Sequence, residues 1–246
     1  MAQECDLEKA WLDKFGRALD ETAGVQIRTQ VMEGSAGLCA KSERNEVIAW
    51  TKAAMDRLDS LVDESHRQAI LLRCACQYPR ADLQETREVY SATGDVDRVH
   101  CMLQRQFEAF LRQVLKLGDD QIAKVVGRGW GSAGIKQEPS TIIATKIPKS
   151  GNLLAYLAES DPHRKRQLYC HCPRIRDVLQ TGETLSPTYC YCGAGFYKGI
   201  WEEILQQPVD VAVLESILEG NDVCRFAIRL PEGCYVHLSP NQGGSA

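Results

Sequence analysis

The sequence predicts an α+β protein: an all-helical N-terminal region packed on a C-terminal α+β domain with an antiparallel sheet. Three observations predict it. Apolar residues recur at helical spacing through most of residues 7–117. Two alternating, β-branched runs, 209–217 and 224–230, meet across Glu219-Gly220-Asn221-Asp222 as a hairpin would. Between the two patterns lies the glycine-rich run Gly127-Arg128-Gly129-Trp130-Gly131-Ser132-Ala133-Gly134.

Leu7, Trp11, Phe15 and Leu19 recur every four residues and predict a helix over 7–19; residues 20–41 lose that period and read as loop. Ser42 is the expected N-cap of a helix carrying Val47, Trp50, Ala54, Leu58 and Leu61 on one face. A further helix runs from about Glu64 into Cys74-Ala75-Cys76 and is stopped by Pro79. Asp82 is the expected cap of the next, which ends near Tyr90. Residues 96–117 form the longest periodic run, with Gly118 as its terminating glycine. The glycine-rich run is not a phosphate loop, because no Gly-Lys-Ser/Thr closes it. Beyond it come a strand at 141–145, a short helix at 152–159 and a helix at 191–205 that Pro208 ends. The division expected is 1–126 helical, 127–139 connector, 140–240 α+β domain and 241–246 flexible tail.

Composition is that of a globular protein, with 44% hydrophobic and 25% charged residues among 246. A net charge of −4 and a pI near 5.8 give no basic field, so nucleic acid is not an expected partner. No apolar run reaches the roughly 20 residues needed to span a bilayer, and no membrane partner is expected. The N-terminus lacks the basic and apolar regions of a signal peptide. The cytoplasm is the expected location, with the eleven cysteines reduced.

Five of those cysteines fall in one stretch. Cys170-His171-Cys172 and Cys190-Tyr191-Cys192 are two Cys-x-Cys pairs, and Cys224 follows the hairpin turn. Thiols repeated at short spacing are expected to converge on a metal when no oxidising compartment is indicated. Cys74-Ala75-Cys76 echoes the pattern, and His100 beside Cys101 completes a possible second site, although packing is the plainer role for thiols on apolar helices. His163-Arg164-Lys165-Arg166, then Arg174 and Arg176, read as a solvated cationic face or as a carboxylate or phosphate anchor. Tyr191, Phe196 and Trp201 belong to an aromatic cluster that lines a core or a pocket.

Cys190, Gly195-Phe196-x-x-Gly199 and Gly220-x-x-x-Cys224-x-Phe226 resemble the small-molecule-binding domain named after 4-vinyl reductase. The closing motif is also similar to hydrolases that open L-2-amino-thiazoline-4-carboxylic acid. The chain as a whole resembles a larger Cys-rich bacterial family with a helical N-terminal half. The first resemblance implies a zinc held from four positions that align here with Cys190, Val213, Ser216 and Cys224, only two of which are ligands. Because zinc accepts any tetrahedral set of thiolates, the expected site is Cys170, Cys172, Cys190 and Cys224, with Cys192 as alternate and an iron–sulfur cluster as the alternative cofactor. Glu215, two residues past Val213, is expected on the same strand face and within reach.

Three functions follow from these residues. The first is a zinc-stiffened module holding a small ligand between the 193–205 helix and the hairpin, with Arg174, Tyr191, Phe196 and Trp201 as lining. The second is a hydrolase of a small heterocycle, in which Cys192, His171 and Glu215 act as nucleophile, acid or base. The third is a thiol protein handling metal or redox equivalents. The N-terminal helices serve as a lid or as a homodimer surface.

Overall fold

A carboxylate starts the first helix. Asp6 accepts from the Lys9 amide at 3.0 Å and caps α1 (Leu7–Ala23), which buries Trp11, Phe15 and Leu19 as their spacing requires. The computed structural model describes residues 6–138 and 140–234; the expected tail at 241–246 and the end of the expected domain lie outside them.

The expected loop after α1 contains a second helix, α2 (Val25–Val31), too short for a periodic pattern to register. In α3 (Arg44–Leu61) Val47, Trp50, Ala54 and Leu58 are buried, but Leu61 is exposed. Ser42 does not cap it: its hydroxyl accepts from the Cys39 amide at 3.0 Å, and Glu43 takes the N-cap position. α4 (Glu64–Arg73) is capped by Asp63 and ends before the Cys74/Cys76 pair. α5 (Arg80–Thr93) begins after Pro79 rather than at Asp82. α6 (Val96–Gln113) is capped by Asp95, and Gly118 opens the next helix, α7 (Asp119–Val126), instead of closing this one.

The C-terminal part adds β1 (Ile135–Glu138), β2 (Thr141–Thr145), α8 (Leu153–Ala158), α9 (Pro162–Tyr169), α10 (Pro173–Thr181), α11 (Tyr191–Leu205), β3 (Asp210–Glu215) and β4 (Arg225–Arg229). The sequence reading did not expect α9 and α10, although each opens on a proline at its first helical position, where the missing N–H leaves no bond unmade. The architecture is α+β, as expected, with one antiparallel sheet in the order β1-β2-β4-β3. Among the described residues it has four strands where the sequence suggested a hairpin and a single strand. The extra strand, β1, falls inside the expected connector. That segment is not a free linker: at Gly131 (φ 114°) a Cβ would lie 2.5 Å from Phe107 of α6. Among the described residues one hydrophobic cluster runs from Trp11 to Cys234.

α11 is the spine of this core. Ile200, Trp201 and Ile204 are fully buried, and Tyr197 packs on Phe226 of β4 at 5.2 Å between ring centres. On the opposite side, a Cβ on Gly195 would stand 2.0 Å from the Leu72 carbonyl, so α4 approaches α11 as closely as backbone allows. Among the described residues no helix is long and apolar enough to cross a membrane.

Candidate thiol centre

The paired cysteines sit at helix junctions. Cys170 closes α9, Cys172 and Cys190 are the N-caps of α10 and α11, and Cys192 lies in the first turn of α11. Cys224 directly precedes β4. Residues two apart on a helix point about 200° apart. Cys190 and Cys192 therefore point to different sides of the start of α11.

The thiols sort into two groups. In the first, Cys190 interacts with Cys224 and with the Ser216 hydroxyl, and Cys170 is close by. Tyr169 fastens this group: its hydroxyl donates to the Lys146 carbonyl at 2.5 Å and accepts from the Cys224 amide at 2.8 Å. The Lys146 amide in turn donates to the Cys224 carbonyl at 3.0 Å. The Lys146 ammonium lies against the first turn of α11, 4.0 Å from where a Cβ on Gly193 would stand. In the second group, Cys172 lies 3.6 Å from the Tyr189 hydroxyl, and Tyr189 stacks on Trp11 at 5.6 Å. Cys192 belongs here, beside Trp11 and Cys172.

The electrostatics separate Cys224 from the rest. The hydrogen bond from Cys190 lowers the Cys224 thiol below its ordinary value against the opposing effect of burial, and the Ile217 amide and Lys146 add to the lowering. Cys190, the donor of that bond, is pushed well up, first by the bond and then by burial. Burial raises Cys170 to about 12 even though Lys146 opposes it. Burial draws the Lys146 ammonium down, but Cys170, Cys224, Tyr197 and Cys172 together hold it above its usual value.

Several expected site residues stand elsewhere. Cys192 is no activated nucleophile, because burial lifts its thiol to about 12. His171 is an exposed residue whose ring, partly desolvated and close to Lys146, is lowered to about 4, while its Nε2 meets the Ile147 carbonyl at 3.1 Å. Glu215 is ion-paired to Arg225 at 2.8 Å. Arg174 is buried 3% exposed, ion-paired with Glu8 and stacked 4.1 Å over Trp11, so its charge is already matched inside the protein. Trp201 is fully buried and Tyr191 half-buried. The second-site residues also separate by role. His100 is buried with its Nε2 3.0 Å from the Gly134 carbonyl, Cys101 and Cys76 are exposed, and Cys74 donates to the Ile70 carbonyl at 3.2 Å. Among the described residues no three His, Cys, Asp or Glu side chains stand close enough together to hold a metal as they are.

The sequence reading missed Lys146, which follows an ordinary strand and carries no motif. It weighed Ser216 only as an aligned position; the fold brings that hydroxyl to Cys190. On the hairpin side of α11, Tyr197 packs on Phe226 with ring centres 5.2 Å apart, and Trp201 of the same helix is fully buried. Space opens on the other side of α11, in a groove of about 920 Å³ bounded by α4, the 74–79 segment and α5. Phe196 lines it.

Residues 156–234, which contain all five cysteines of the stretch, match a family of unknown function (DUF6144). No curated protein and no solved structure matches the chain.

Proposed function

We propose that the chain is a thiolate-centred protein that binds zinc through Cys170, Cys190 and Cys224 and holds a small organic ligand. The observation that carries this reading is that Cys170, Cys190 and Cys224, from three separate segments, lie near enough to perturb one another's ionisation, although they do not yet form a closed ligand set. Thiolates suit zinc, and Cys224 is the thiol most easily ionised there. Bound zinc would draw the remaining thiols into the thiolate form and cross-link the start of α11, the α9–α10 junction and the start of β4. Three thiolates on a divalent ion carry one net negative charge, which the Lys146 ammonium offsets. Cys172 leaves the expected ligand set for its place beside Tyr189.

A second reading has one observation in its favour. A lowered thiol beside a thiol donor and a lysine is the arrangement of a dithiol that closes to a disulfide, with the electron pair passing to an external disulfide. Elemental analysis of protein purified without oxygen separates the two. About one zinc per chain, lost in Cys190→Ser and in Cys224→Ser, supports the first. Metal-free protein that forms a Cys190–Cys224 disulfide with oxidised dithiothreitol supports the second and removes the first.

A further inference from the structure

We propose that the groove between α4, α5 and the outer side of α11 binds a small organic carboxylate with an apolar body. The proposal deepens the small-ligand part of the reading above and is independent of its metal. At about 920 Å³ the groove falls at the upper end of the roughly 300–1,000 Å³ that ligand sites occupy.

Its walls combine an apolar surface with one more positive than negative side chain, Arg73, Arg80 and Lys198 against Glu202 and Glu203. Tyr78 and Phe196 pack on each other in its wall, ring centres 5.9 Å apart at 55°, with Leu72 and Leu83 also lining it. Three of its charges are matched: Lys198 by Glu202 at 2.7 Å and Arg73 by Glu21 at 2.7 Å. Glu203 is shared. Arg87 holds one of its oxygens at 2.6 Å, and Arg80 reaches the other only at 3.4 Å. Two guanidinium groups on one carboxylate leave a net positive charge. Arg80, with 79% of its side chain exposed, is the arginine free to turn to a ligand carboxylate with paired hydrogen bonds. The amides of residues 75–78, which border the groove, donate to no backbone or side-chain acceptor among the described residues.

A second observation points to the same place. Gly199 lies in the middle of α11 and lines the groove, and a Cβ there would meet nothing within 4 Å. Glycine weakens a helix interior, and no packing contact requires it at this position. Gly195, one turn earlier, is fixed by the Leu72 carbonyl. What Gly199 does is keep the groove floor clear for a ligand.

The test is calorimetric titration of the whole protein with octanoate and with benzoate, using octanol and benzyl alcohol as uncharged controls. At least one carboxylate is expected to bind saturably, about tenfold tighter than its alcohol, the factor expected of one charge-assisted contact. Gly199→Leu should abolish that binding without lowering the melting temperature, and Arg80→Gln should weaken the carboxylate about tenfold while leaving the alcohol unchanged. Absence of saturable binding by either carboxylate, or binding unchanged in Gly199→Leu, overturns the proposal. Cys190→Ser and Cys224→Ser should keep carboxylate binding. Their zinc content therefore reports on the metal reading and the titration on the groove, each failing separately.

Discussion

Glu215 and Arg225 stand opposite each other across the β3–β4 ladder, ion-paired at 2.8 Å, on the face of the sheet away from Val213 and Phe226. Val213 pairs with Phe226 and Glu215 with the adjacent Arg225, so Leu214 is an extra residue on β3. Such a bulge shifts the period of two by one and turns Glu215 to the face opposite Val213. The carboxylate is thus removed from the thiol centre. Glu215→Ala is expected to cost no more than about 1 kcal/mol, as for a solvent-accessible ion pair, and to leave metal content unchanged. Urea unfolding and elemental analysis check both; loss of metal would return Glu215 to the centre.

Gly195 and Gly199 differ in what surrounds them although both lie in α11. Gly195→Ala places a Cβ against the Leu72 carbonyl, which backbone cannot yield cheaply, and is expected to destabilise by about 1–3 kcal/mol. Gly199→Ala meets open space and should stabilise by about 1 kcal/mol through helix propensity. Opposite shifts in the urea midpoint are the expected result; shifts of the same sign would contradict the packing of α4 on α11.

Glu8 joins the first helix to the C-terminal half by bonding both Arg174 and Arg44. Removing it leaves Arg174 buried over Trp11 without a counter-charge. Glu8→Ala should destabilise by about 3–5 kcal/mol, the range for breaking a buried pair from one side. Denaturant unfolding measures it, and a loss under about 1 kcal/mol would mean that Arg174 relaxes toward solvent.

Cys224 owes its lowered thiol first to the Cys190 donor. In Cys190→Ala the Cys224 thiol should titrate higher than in the parent, followed by thiolate ultraviolet absorbance in metal-free protein. Lys146→Met should raise it as well, by a smaller step, since Lys146 contributes less than the Cys190 bond. An unchanged titration in Cys190→Ala would show that the two sulfurs do not meet in solution.

His100 and His171 make the fold sensitive to acid. Burial lowers His100 below the ordinary 6.5, and local desolvation beside Lys146 lowers the more exposed His171 to about 4, so the fold favours the neutral rings. The unfolded chain then binds more protons than the folded one between those values. Their contribution to stability is complete above about pH 6.5 and declines as pH falls through that point. Melting temperatures measured from pH 7.5 to 5 should fall, and His100→Gln, which can still donate to Gly134, should flatten part of the slope. A slope unchanged by that variant would exclude His100 as a source.

By itself the sequence determined the class of the fold, the helix at 191–205 and the hairpin that follows it. Each is a local property: a hydrophobic period or a turn composition. Helix caps were not legible: the carboxylates that cap helices at Asp6, Asp63 and Asp95 went unread, and Asp82, the carboxylate expected to cap a helix, lies inside α5. Caps were also misread at Ser42 and Gly118, whose roles depend on which direction the chain takes next. The tertiary structure alone decided which sulfurs meet. The turn of α11 separates Cys190 from Cys192, and the bulge at Leu214 turns Glu215 away. Tyr169 brings Lys146 to Cys224, a contact between residues 78 positions apart in sequence, by accepting from the Cys224 amide and donating to the Lys146 carbonyl. Distant contacts of this kind leave no periodicity in a single sequence, because they are set by how whole helices and strands pack.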